Sequence, residues 1–213
     1  MGKLHIFDMD GTLLSGSACL ELSRFLGKIE AVEEMEERWG RGELGHVEFY
    51  EHLLPLWEGL EEVHTEEVFE GIEWLEGIEE VWQDIAARGE RSAVITLSPQ
   101  FFGDLLTPWG VHHVFGAEVF AGAPPDPELV LTPESKVYIA VELLERYGLG
   151  DADCVAYGDS SSDIPLFEFL TNTVAVNASP RLVEVAAASY AGNDLRQAYA
   201  LGRSLLSPAS SRR

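Results

Sequence analysis

Basic residues are what this sequence has least of. Only 14 Lys and Arg stand against 37 Asp and Glu in 213 residues, a formal net charge of -23. A surface that negative repels phosphodiester backbones and anionic lipid, so neither nucleic acid nor membrane is expected as a partner. An anionic substrate would have to be drawn in by local positive charge. Cysteine is almost absent: Cys19 and Cys154 lie far apart in apolar settings without metal-ligand spacing, and read as reduced core thiols rather than a disulfide framework. No run approaches the ~18 consecutive apolar residues of a membrane-spanning helix. The one apolar run near the start is broken by Asp8 and Asp10, unlike a secretory leader. The expected location is the cytoplasm.

What the chain does have is core-forming material, 46% hydrophobic residues, enough for a substantial core and too much for a disordered acidic tail. Its length suits one core domain carrying an insert. A first strand is expected at 4–7. A long stretch, 17–88, then shows helical periodicity in separable pieces: 18–26, 30–39, 46–57 around Pro55, 61–74 and 76–87. From 92–97 the texture changes to alternating strand and helix, with strands also at 114–121 (one or two), 154–157 and 173–176. Helices are expected at 134–147, 163–170 and 180–187. Interleaving of this kind predicts an α/β fold, a three-layer, Rossmann-like core whose mainly parallel sheet is covered on both faces. Its ligand site lies beyond the carboxyl ends of the strands. The expected division is a core of 1–16 and 89–213, an all-helical cap of 17–88, and a frayed tail at 207–213.

The decisive segment is His5-Ile-Phe-Asp-Met-Asp-Gly-Thr-Leu-Leu14. Asp8 and Asp10 leave an extended backbone on the same face, and Gly11 and Thr12 turn the chain behind them. Asp-x-Asp-Gly alone is compatible with a simple turn; the apolar strand before it argues for more. Two anions this close call for a hard divalent cation such as Mg²⁺, held by oxygens and waters. One carboxylate can then attack phosphorus while the other passes a proton to the leaving alcohol.

Other strand ends supply further parts. Gly158-Asp159-Ser-Ser-Ser-Asp163 follows the apolar strand at 154–157 and places Asp159 to ligate the same metal. Asp163, at the next helix start, suits a supporting role toward a water or a lysine, or helix capping before Pro165. Ser98 ends the second core strand, where its hydroxyl and a backbone N–H can hold a phosphoryl oxygen. An N-cap followed by Pro99 explains it equally, and Thr96 competes from the same strand face. Lys136 is the expected counter-charge, because a phosphoryl transition state spreads negative charge over oxygens that a lysine can reach. A lone helical lysine is usually solvated, but basic residues here are scarce and its neighbours largely apolar.

Together these residues resemble the haloacid dehalogenase superfamily, and within it the phosphoserine phosphatase-like branch with a helical cap. Asp8-Met-Asp-Gly-Thr-Leu is similar to the first motif, Ser98 to the second, Lys136 to the third, and Gly158-Asp159 with Asp163 to the fourth. Asn177-Ala-Ser-Pro-Arg-Leu182 resembles the segment after the fifth strand. The resemblance implies that Asp8 is phosphorylated, that Asp10 is general acid and base, and that Mg²⁺ is held by the Asp8 side chain, the Asp10 carbonyl and Asp159. The second acid, Asp10, favours phosphate chemistry over dehalogenation. The substrate-recognition residues do not carry over. The branch's Glu position falls near Ser17, with Glu21 one turn on, and its Arg position falls at 50–52, the nearest cap arginines being Arg38 and Arg41. Gly11, Thr12, Arg41 and Tyr50 are the remaining candidates for substrate contact. Phe49, Tyr50 and Trp57 either line an apolar pocket or form the cap's own core.

The function expected is Mg²⁺-dependent hydrolysis of a small phosphorylated metabolite through an aspartyl-phosphate. Phosphoserine phosphatase proper, a phosphotransferase or mutase, and a non-catalytic phospho-acceptor are the alternatives. The last has no use for the long stretch 17–88. The oligomeric state is not legible in the sequence.

Overall fold

A computed structural model describes residues 2–206; the expected frayed tail, 207–213, lies outside them. The order is β1 (Leu4–Phe7), α1 (Ala18–Phe25), α2 (Ile29–Gly40), α3 (His46–Leu53), α4 (Glu62–Gly71), α5 (Ile78–Ala87), β2 (Arg91–Pro99) and α6 (Gln100–Gly103). There follow β3 (His113–Ala117), α7 (Pro133–Tyr147), β4 (Cys154–Gly158), α8 (Ile164–Phe169), β5 (Thr173–Val176), α9 (Pro180–Val185), β6 (Ala188–Tyr190) and α10 (Leu195–Leu205). All strand pairs are parallel, in the order β3-β2-β1-β4-β5-β6. The expected α/β architecture is therefore present.

The strand sequences explain why both faces are covered. Period-2 alternation sends Leu4, Ile6, Ala93, Ile95, Cys154, Ala156 and Ala175 into one apolar cluster, which includes Ala140 and Leu143 of α7 and Leu166 and Phe167 of α8. Phe7, Val94, Val155, Tyr157, Val174 and Val176 go to the other, with Trp82 and Ile85 of α5 and Leu195, Ala198 and Tyr199 of α10. Phe7 and Tyr157, paired across β1 and β4, stack with ring centres 4.4 Å apart. From β1 the chain runs outward to β2 and β3 on one side, and from β4 to β5 and β6 on the other. A crevice opens between the carboxyl ends of β1 and β4 at this reversal.

Helices α1–α4 stand between the first two strands. Gly27 ends α1 with φ of 67°, and Pro55 falls in a short 3₁₀ turn after α3. Trp57 is fully buried, its indole N–H donating to Ser23 Oγ at 2.8 Å and its ring edge-on to Phe101 of α6 at 6.4 Å, so it packs between this unit and α6 and is not part of the cavity lining. The chain crosses between unit and sheet twice, and the crossings are bonded to each other. Leu75 N–H donates to the Leu13 carbonyl at 2.8 Å, Ser15 N–H to the Glu73 carbonyl at 3.2 Å, and Leu14 bridges Trp74 antiparallel.

Several expectations need correction. The piece 61–74 stops being helical at Gly71 because the chain must straighten to make that bridge. Helix α5, read as part of the cap, lies on the sheet against β2 and α10: its Ile78, Val81, Trp82 and Ile85 form an apolar stripe buried there. The second strand runs through Ser98 to Pro99, with Pro99 rather than Ser98 before α6, so Ser98 is no N-cap. Of the one or two strands expected within 114–121, one forms, as β3. Strand β6 and helix α10 were not read. The strand has three residues, but the helix carried a signal: Asp194 accepts the Arg196 N–H as N-cap, and Leu195, Ala198, Tyr199 and Gly202 form a buried face.

Gly202 sits where a Cβ would lie 2.2 Å from the Tyr157 hydroxyl and 2.7 Å from Cζ. Alanine there gains ~1 kcal/mol of helix propensity but overpacks a ring already stacked on Phe7, a cost of ~1–3 kcal/mol. Gly202→Ala is expected to lower the urea midpoint; an unchanged or raised midpoint would show that α10 is free to shift.

Candidate active site

The β1–β4 crevice opens into a cavity of about 690 Å³ whose lining includes Asp8, Asp10, Gly11, Ser98 and Asp159 from the sheet end. Glu36, Trp39, His46, Phe49 and Tyr50 line it from the helical unit. Asp8 follows β1 directly, its N–H donating to the Tyr157 carbonyl at 2.9 Å, and its Oδ1 accepts the Met9 N–H at 2.8 Å. Lys136 rises from the first turns of α7 and is 1% exposed. Its Nζ lies 3.0 Å from Asp8 Oδ1 and 2.6 Å from Asp163 Oδ1, and 3.4 Å from Ser162 Oγ. Burial alone would lower the lysine's pKa; the charges of Asp163 and Asp8 outweigh this and hold it above its ordinary value. For Asp8, burial and the Asp163 charge push the carboxyl well up, with Lys136 opposing.

Asp163 is a positioning group. One oxygen holds Lys136, and the other accepts the N–H groups of Asp159 and Ser160 at 3.0 and 3.2 Å. This closes the turn after β4, and Gly158 is needed there because a Cβ would lie 2.4 Å from Asp163 Cγ. Asp10 is held from two sides: Oδ1 accepts the Ala18 N–H at 2.7 Å, at the start of α1, and Oδ2 accepts the Thr96 hydroxyl at 2.9 Å. Burial raises its pKa against those hydrogen bonds.

The competition between Thr96 and Ser98 resolves by depth. Thr96 is fully buried and spent, since its oxygen donates to Asp10 and accepts the Ser98 N–H at 3.0 Å. Ser98 lines the cavity, with its Oγ 3.8 Å from Cys19 Sγ and its own N–H taken by Thr96. Gly11, with φ of 71°, lines the cavity and lets Asp159 come close; a Cβ there would lie 2.1 Å from Asp159 Oδ2.

Two substrate candidates fall elsewhere. Arg41 is exposed, with its guanidinium on Glu43 at 2.8 Å and Glu37 at 3.6 Å, away from the cavity lining. Thr12 is fully buried behind the turn, its hydroxyl without a partner among the described residues. Tyr50 does line the cavity, and its hydroxyl donates to the Leu97 carbonyl at 2.6 Å, tying α3 to β2. Sequence reasoning passed over Glu36, His46 and Arg181 as lining residues. Glu36 had left a signal: Val32, Met35, Glu36 and Trp39 share one helical face, so it is an acid on an apolar stripe.

The acids test for a metal as follows. Asp8, Asp159 and Asp163 each bring a carboxylate oxygen within 4.8 Å of the others. Both Asp163 oxygens are engaged, whereas no neighbouring side chain among the described residues donates to Asp159, whose pKa is raised to about 7 by burial and the Asp163 charge. Two hard oxygen donors beside one lysine fit a small divalent cation such as Mg²⁺.

A parallel α/β sheet with acids and a buried lysine at its reversal point places this chain in the doubly wound α/β class. The chain belongs to the haloacid dehalogenase-like hydrolases, whose family pattern matches residues 6–168. Among curated relatives, phosphoserine phosphatase of Archaeoglobus fulgidus is 28% identical over 91% of this chain. The chain spans only 58% of that relative's length. Phosphoserine phosphatase of Methanocaldococcus jannaschii is 26% identical over 92% of this chain and 95% of its own. A solved substrate-bound phosphoserine phosphatase complex shares the fold at a TM-score of 0.80 and 24% identity, over 92% of this chain and 96% of that one. A phospho-aspartyl intermediate analogue of phosphoserine phosphatase follows at 0.78 and 25%, again over 92% and 96%.

Removing one partner of a buried ion cluster leaves the others uncompensated, at a cost of ~3–5 kcal/mol. Lys136→Met is expected to lose stability on that scale in urea unfolding without added metal. A loss under ~1 kcal/mol would mean that the acids neutralise one another by sharing protons.

Proposed function

We propose that this protein is a Mg²⁺-dependent phosphomonoesterase acting on a small phosphorylated metabolite through an aspartyl-phosphate on Asp8. The observation that carries this reading is Asp8 itself, a buried carboxylate fixed by Lys136 at 3.0 Å on a cavity floor shared with Asp10, Ser98 and Asp159. An Asp8 oxygen attacks phosphorus, the bond from phosphorus to the alcohol oxygen breaks, and Asp10 gives that oxygen its proton. Asp10 then takes a proton from water as the water oxygen attacks the same phosphorus, releasing phosphate and restoring the Asp8 carboxylate. Lys136 and the Ser98 hydroxyl hold the phosphoryl oxygens as charge builds on them. The Ala18 N–H and the Thr96 hydroxyl keep Asp10 in one orientation through both transfers.

The Asp8 and Asp159 side chains and the Asp10 carbonyl would hold Mg²⁺. When bound, the ion offsets the carboxylate charge and polarises a phosphoryl oxygen. Helices α1–α4 serve as the cap, limiting the site to small esters and shielding it from water. Phosphoserine itself is a second reading, favoured by the names of the relatives at 26–28% identity.

Asp8→Asn is expected to abolish hydrolysis of para-nitrophenyl phosphate in Mg²⁺, a fall of at least a thousandfold in kcat; near-normal turnover would overturn the assignment. Chelation with EDTA is expected to stop the reaction, and Mg²⁺ to raise the melting temperature of the metal-free wild type. No shift in melting temperature at millimolar Mg²⁺ would count against the metal site.

A further inference from the structure

The wall that the cap turns toward the cavity holds an acid which the chemistry above leaves unused. Glu36 faces inward with Val32, Met35 and Trp39, while Glu33, Glu34 and Glu37 on the same helix are exposed. Its only hydrogen bond among the described residues comes from the Ser17 hydroxyl, at 2.5 Å. No Lys or Arg there pairs with it, although six exposed or partly exposed Arg residues elsewhere in the chain have found carboxylates. Also on the cap wall, His46 presents a buried Nε2 with no partner among the described residues, and burial lowers the pKa of that ring against the opposing Glu134 charge. The indole of Trp39 stands edge-on to His46 at 5.5 Å, and Phe49 and Tyr50 meet edge-to-face at 5.6 Å.

Glu36 carries the negative charge of this wall, a neutral His46 ring offers one acceptor and one donor nitrogen, and the Tyr50 hydroxyl proton is already spent on Leu97. The one exposed basic residue in the lining, Arg181, comes from the opposite, sheet side. It is the second residue of α9, after Ser179, whose N–H donates to the Asp159 carbonyl at 2.8 Å. A carboxylate withdrawn from water without a cation is costly. A protonated amine would relieve it, and the aromatic neighbours would add cation–π attraction. A carboxylate on the substrate would meet Glu36 as a like charge with no basic group on that wall to receive it.

We infer that the site is built for phosphate monoesters of amino alcohols that lack a carboxylate, with the ammonium group received by Glu36. The inference rests on the phosphatase reading and narrows its substrate class. Burial, against the Ser17 hydrogen bond, raises the Glu36 carboxyl to about 7, and an ammonium group beside it would favour the ionised form.

Matched esters test it. With Mg²⁺ and wild-type protein, kcat/KM is measured for O-phosphoethanolamine, n-propyl phosphate, O-phosphoserine and para-nitrophenyl phosphate. The amine ester is expected to exceed both propyl phosphate and phosphoserine by tenfold or more. Glu36→Gln is expected to bring the ratio of phosphoethanolamine to propyl phosphate close to one. That ratio is internal to each protein, and the wild-type preference stands as a test even if the variant folds poorly. Preference for phosphoserine, or an unchanged ratio in an active Glu36→Gln, would overturn the inference and leave the phosphatase reading intact. Failure to hydrolyse any of the four would overturn that reading and the inference with it.

Discussion

The burial of one ammonium group organises this molecule. Lys136 is out of water, and an ion in that position costs several kcal/mol unless its charge is met at close range. Asp8 and Asp163 meet it at 3.0 and 2.6 Å, and in doing so they join the end of β1, the start of α7 and the turn after β4. None of the three elements can drift without separating charges in a low dielectric. The same cluster remains short of positive charge, because Asp10 and Asp159 lie beside it with no second lysine among the described residues. That deficit makes the site receptive to a divalent cation.

The scarcity of basic residues takes on a spatial meaning here. Most arginines with salt bridges lie on the outside, as with Arg41 on Glu43 and Arg88 on Asp84, where ion pairs contribute little. Among the described residues, one lysine lies beneath the cavity floor against Asp8 and one arginine lines the cavity. On the reading proposed above, an anionic ester meets positive charge at the sheet end, while the helical wall opposite is acidic and aromatic. Orientation of the substrate follows from that asymmetry.

The sheet and the acids were legible because they rest on short-range rules. Apolar runs at 4–7 and 154–157 had to be central strands, and an acid directly after each had to stand at the same sheet edge. Lys136 was legible by economy, as a basic residue in an apolar stretch. The division between Thr96 and Ser98 was not, since both leave the strand on one face and only depth separates them. Arg41 looked as suitable as any cap arginine, yet the adjacent Glu43 captures it, and no helical periodicity forecasts that. Helix α5 was misplaced because its pattern states that it buries one face but not against what. Glu36 was overlooked within a run of acids, although its register on the helix set it apart.

The paired crossings at 13–15 and 73–75 have a consequence for how this chain could have been assembled. Because the two ends of the helical unit are joined side by side, the unit closes on itself at its base, and the sheet experiences it as a long excursion from a single point. The entropy of closing such an excursion grows only with the logarithm of its length. Its contents can be lengthened, trimmed or exchanged while strand register, the buried lysine and the acids stay in place. The scaffold thereby uncouples the acids and lysine at the sheet end from the helical wall that faces them.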